Sequence, residues 1–97
     1  MTAKKMFQNY VVNTNDNKKW VKSINDNPPT YVVYEDGYGY RHRKYTLIFE
    51  NNNLKIIQKG FFNIEETYDI NDIFNLKKFD NEFKECIIKQ MKELGWI

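Results

Sequence analysis

Both arginines of this 97-residue chain fall in one short stretch, Tyr38-Gly39-Tyr40-Arg41-His42-Arg43-Lys44-Tyr45. In a strand, residues two apart share a face, so Arg41 and Arg43 are expected to project together. A guanidinium makes planar, bidentate contacts with phosphate or carboxylate, and a neighbouring tyrosine ring can stack on a base or fill a pocket on a protein. Tyr38, Tyr40, Arg41, Arg43 and Lys44 are therefore candidate contact residues. The plainer reading has Tyr40 and Tyr45 packed in the core and the arginines keeping a strand end soluble. The adjacent Glu35-Asp36 pair cancels much of the local charge. That weighs against nucleic acid, where phosphate neutralisation supplies most of the affinity.

A second cluster, Glu65, Glu66, Asp69 and Asp72, puts four acids in eight residues. They could dock on a basic groove of a partner or ligate a hard cation, although the spacing is not that of an EF-hand loop. The plainer reading is a solvated acidic edge. His42 is the only histidine and has no cysteine or second histidine to share a zinc with. Gly37-Tyr38-Gly39 reads as a turn, because neither a helix nor Gly-Lys-Ser/Thr follows it. No pairing of nucleophile and base stands out, so the expectation is a protein that is not an enzyme and carries no cofactor or metal.

The net charge of +2 is too small to imply a polyanionic partner. Its distribution is uneven: residues 1–24 carry five Lys against one Asp, and residues 50–76 two Lys against five acids. A lone cysteine, Cys86, excludes an internal disulfide and fits a reducing compartment, hence the cytoplasm. Lys4 and Lys5 are followed by no apolar run of signal-peptide length, and no window is apolar enough to span a bilayer.

The elements that must position these residues centre on 80–97. At 100° per residue Phe83, Ile87, Met91 and Leu94 fall within about 80° of one another. Asp80 is a good N-cap, and Gly95 can close the helix in a left-handed conformation and let Trp96 fold back. Thr2 caps a short helix from Ala3 to about Tyr10. Val11-Val12 reads as an extended continuation, and residues 18–24 read as a short strand or an irregular loop. Pro28-Pro29 breaks the chain. Residues 30–35, 40–50 and 54–62 read as strands joined by turns at Asp36-Gly37-Tyr38-Gly39 and Asn51-Asn52-Asn53, with Gly60 a bulge or bend. Residues 63–70 form a fourth strand or a covering loop, and Asn71 caps one helical turn. The expected fold is a single α+β domain: an antiparallel meander of three or four strands with a short N-terminal helix and a long C-terminal amphipathic one. Leu47, Phe49, Leu54 and Ile56 are the expected sheet-side partners of that helix. Ile88, outside its apolar stripe, and Trp96 offer a homodimer contact if exposed.

Thr2-Ala3-x-x-Met6-Phe7 at the start and Lys92-Glu93-Leu94-Gly95-Trp96-Ile97 at the end, flanking a Tyr-rich hairpin, resemble a recurrent group of small uncharacterised proteins of phages and mobile elements of Firmicutes. The likeness covers about a dozen terminal residues, with residues 63–79 resembling an insertion. It implies a phage context in a host cytoplasm and a class rich in host-directed inhibitors, anti-CRISPR proteins among them. The leading expectation is a protein that binds and blocks a host protein, a nuclease or another defence component. The alternative is a small RNA- or single-strand-binding module using the basic hairpin.

Overall fold

The computed structural model describes residues 1–37, 40–60 and 63–97, with the backbone alone at 40–42. Six antiparallel strands form one sheet in chain order: β1 (Val11–Asn13), β2 (Asn17–Asp26), β3 (Pro29–Gly37), β4 (Tyr40–Glu50), β5 (Asn53–Gln58) and β6 (Ile64–Tyr68). The helices are α1 (Ala3–Asn9), α2 (Ile70–Phe74) and α3 (Asn81–Glu93). The class is α+β as expected, but three or four strands become six. β2 pairs along the whole of β3, from Asn17 opposite Gly37 to Asp26 opposite Pro29, and β1 adds a short edge beside it. β6 is a strand, not a covering loop.

Turn chemistry explains the connections. Pro28 and Pro29 do not interrupt the sheet: a cis Asn27–Pro28 bond lies in the turn, and Pro29 opens β3, a strand position that needs no donor. Asn51 and Asn52, at φ 55° and 60°, make the tight turn between β4 and β5, a conformation asparagine tolerates. Gly60 sits in a bend beyond β5. The β3–β4 ladder reaches Gly37 opposite Tyr40. The expected turn residues Tyr38 and Gly39, the side chains of Tyr40, Arg41 and His42, and Phe61-Phe62 of the expected return strand lie outside the described residues.

Alternation along the strands builds the core. Val21, Val33, Tyr45, Leu47, Phe49, Leu54 and Ile56 are buried on one face, which the helices cover. α3 contributes Phe83, Cys86, Ile87 and Met91, and α1 contributes Phe7, followed by Tyr10 at its C-cap. Phe7 stacks on Tyr31 at 4.1 Å and meets Phe83 edge-on at 5.7 Å. Each such ring contributes roughly 1.5–3 kcal/mol by leaving water. Gln90 is buried too, and accepts from the Tyr31 hydroxyl at 2.5 Å.

Caps fix the helix ends. Thr2 accepts from the Lys5 amide at 3.1 Å, and Asp80 accepts from the Phe83 amide at 2.7 Å. Asp80 also accepts from the Tyr10 hydroxyl, while the Ala3 amide donates to Glu93 at 2.7 Å. α1 and α3 are thus tied, antiparallel, at both ends. At the end of α3, Gly95 (φ 75°) donates to the Lys92 carbonyl and Trp96 to the Met91 carbonyl, and Trp96 lies against Phe49. Leu94, expected in the buried stripe, is the C-cap and is 37% exposed, because the chain turns away there. α2 is capped by Asp69 rather than Asn71.

Buried residues from each of these helices, Phe7, Ile73 and Phe83 among them, enter one core. Among the described residues, the opposite face of the sheet carries no helix. No described helix is long and apolar enough to cross a membrane.

Candidate functional site

Past the N-terminal end of α3 the helix-side face of the sheet is left open, and a cleft of about 230 Å³ forms there. Register puts charge across its floor in a row: Lys19 on β2 is opposite Glu35 on β3, which is opposite Arg43 on β4. Tyr45 and Gln58 make the next row, paired across β4 and β5. Glu66 of β6 and Lys78-Phe79 of the segment before α3 close the wall. Strand order, not sequence proximity, gathers these groups.

Lys19 is 8% exposed, and its Nζ lies 4.7 Å from the centre of the Phe83 ring, 5.6 Å from Tyr10 and 5.8 Å from Phe79. The ring faces replace part of the water that an ammonium loses on burial. Lys78 Nζ pairs with Glu66 at 3.1 Å, and the same carboxylate accepts from the Tyr68 hydroxyl. Tyr45 lies parallel to Phe79 at 6.5 Å. Burial, then the nearby Glu35 and Asp80 carboxylates, hold the Tyr45 phenol well above its ordinary pKa, with Arg43 pulling weakly the other way. It stays a neutral hydrogen-bonding group.

The described ones among the expected site residues separate into three places. Tyr38 and the side chains of Tyr40 and Arg41 lie outside the described residues. Arg43 and Glu66, assigned from sequence to different surfaces, line the same cleft. Lys44 and Glu65 are on the other face of the sheet, where Glu65 pairs with Lys55 at 3.4 Å. Asp69 and Asp72 form a reciprocal capping box: Asp69 accepts from the Asp72 amide at 2.8 Å and Asp72 from the Asp69 amide at 3.2 Å. The four acids are therefore not one surface. Ile88 is half-buried, and Trp96, expected as its companion in a dimer contact, packs on the core.

Sequence reasoning missed Lys19, Tyr45, Gln58, Lys78 and Phe79 as cleft residues. The signal for Lys19 was a charge at the inward position of an alternating strand. At this volume the cleft is smaller than the roughly 300–1,000 Å³ of small-molecule pockets, and suits one or two side chains of a partner better than a cofactor. Among the described residues, no group of three or more His, Cys, Asp or Glu is gathered for a metal ion. What the arrangement offers is recognition by ion pairs, hydrogen bonds and ring contact. Compared with protein-family models, curated proteins and solved structures, the chain matches none of them.

Proposed function

We propose that this chain is a non-enzymatic binding protein that docks on a host protein and blocks it by occupancy, with the cleft end of the sheet as its contact. The observation that carries this reading is the meeting of Arg43 and Glu66 in one cleft beside the Tyr45 and Phe79 rings. A recess with both charge signs over aromatic rings suits a protein surface, which also presents both signs. A polyanion would meet Glu35 and Glu66 together with the cations, and the repulsion would offset much of the gain. The phage-like termini support a host defence component as the target, a nuclease first, in the manner of an anti-CRISPR inhibitor.

The test is capture from host lysate on the tagged chain, run beside Arg43→Glu and Glu66→Lys. A specific partner should be retained by the parent chain and bound at least about tenfold more weakly by either reversal, as expected when a desolvated charge contact is broken. Circular dichroism confirms that the variants fold. If every protein recovered is held equally by the parent and both folded variants, the cleft is not the contact and the reading fails.

A further inference from the structure

The face of the sheet turned away from the helices carries an ordered row of its own. Trp20 of β2, Tyr34 of β3 and Lys44 of β4 are cross-strand partners in register. The Trp20 and Tyr34 rings are stacked, 5.5 Å between centres and 9° from parallel, and both are half-buried. Lys22 and Lys44 hold their Nζ atoms 5.7 and 5.8 Å from the centre of Tyr34. Lys18, Lys22 and Lys44 are exposed around the stack, and exposed Lys59 joins Lys44 in lining an adjacent recess.

The acids of this face stand at its margins. Asp36 is opposite Lys18 at one end, Glu50 ends β4 at the other, and Glu65 is on β6 with Lys55 as its ion pair. Glu65 is engaged by Lys55, and four strand spacings, about 19 Å, separate β6 from Lys18 and Lys22 on β2, and two, about 10 Å, from Lys44 on β4. The positive charge is local, and it surrounds an aromatic platform.

We propose that this open face binds single-stranded nucleic acid, with bases stacking on the Trp20–Tyr34 pair and phosphates held by Lys18, Lys22, Lys44 and Lys59. Unstacked bases offer ring faces, which a duplex does not, and lysines spaced along a sheet can follow a flexible backbone without reading sequence. The indole face turned away from Tyr34 looks towards β1, where its cross-strand neighbour Val11 is 59% exposed and leaves room for a base. The surface is on the opposite side of the sheet from the cleft, so it stands or falls separately from the protein-binding reading.

Fluorescence anisotropy with labelled oligo-dT and oligo-rU of about 12 nucleotides, and with a duplex of the same length, tests it. At about 50 mM salt one or both single strands should bind more tightly than the duplex. The double variant Lys22→Gln/Lys44→Gln should weaken binding at least about tenfold and flatten the log–log salt slope by about 1.4, two single-strand phosphate contacts. Lys5→Gln/Lys92→Gln removes the same charge from exposed positions of the helix layer and should leave affinity within about twofold. Binding of oligo-rU alone, oligo-dT alone or both supports the proposal and identifies the source of the strand. No anisotropy change at about 100 µM protein, equal weakening by the two double variants, or duplex held as tightly as single strand overturns it.

Discussion

Along β4, Tyr45, Leu47 and Phe49 face the helices and are buried, while Lys44, Thr46 and Ile48 alternate with them on the open side. The two faces share one backbone and one set of ladder hydrogen bonds, yet they use side chains differently. The helix side excludes water with interlocking rings, and its one inward lysine, Lys19, is held among ring faces. The open side has no helix over it among the described residues, and it keeps lysine stems and a stacked ring pair in contact with water. The helix side therefore carries most of the stability, and the open side and the cleft are free to carry recognition.

Truncating one apolar side chain on each side of the sheet separates the two most strongly. Phe83→Ala removes a fully buried ring touching Phe7, Tyr10 and Phe79, and should cost about 3–5 kcal/mol in urea unfolding. Ile57→Ala, half-buried on the open side, should cost under about 1 kcal/mol. Similar losses at both positions would break the comparison.

High pH sharpens it next. Burial raises Cys86 from 9.0 to about 11 and Tyr31 from 10.0 to about 12, and among the described residues the groups so shifted, Tyr10 and Tyr45 included, belong to the helix-side core. Above about pH 9 the unfolded chain releases these protons while the folded chain keeps them. The unfolded state then binds fewer protons, so stability falls as pH rises from about 9 towards 12. Urea midpoints that stay flat over that range would contradict the burial.

Smaller effects come from the helix ends. Asp80→Ala removes the cap of α3 and the acceptor of the Tyr10 hydroxyl together, and should cost about 2 kcal/mol, with Asp80→Asn recovering most of it in the same unfolding assay. Gly95→Ala should lower stability by about 1 kcal/mol through backbone strain at φ 75°, since an added Cβ meets nothing within 4 Å.

How far the sequence could be read follows the same division. The stripe of α3, the caps at Thr2 and Asp80, the left-handed Gly95 and the inward set Leu47, Phe49, Leu54 and Ile56 all stood out, because apolar periodicity records what is buried. β2 was harder, since Lys18 and Lys22 alternate with another lysine, Lys19, and only packing shows that the last lies inside. β6 is an edge strand with a polar centre and carries little apolar signal. At the cleft, Arg43 and Glu66 were legible singly but not together, because their meeting depends on β4, β5 and β6 lying side by side. The Trp20–Tyr34 stack likewise needed the register across a turn built on two prolines.

Strand order equal to chain order has a kinetic consequence. Each ladder can zip onto the one before it by closing a short loop, so the sheet needs few distant encounters to assemble. The tie between Ala3 and Glu93 spans nearly the whole chain and has to wait for that ribbon. Loosening it should hasten unfolding far more than it slows folding.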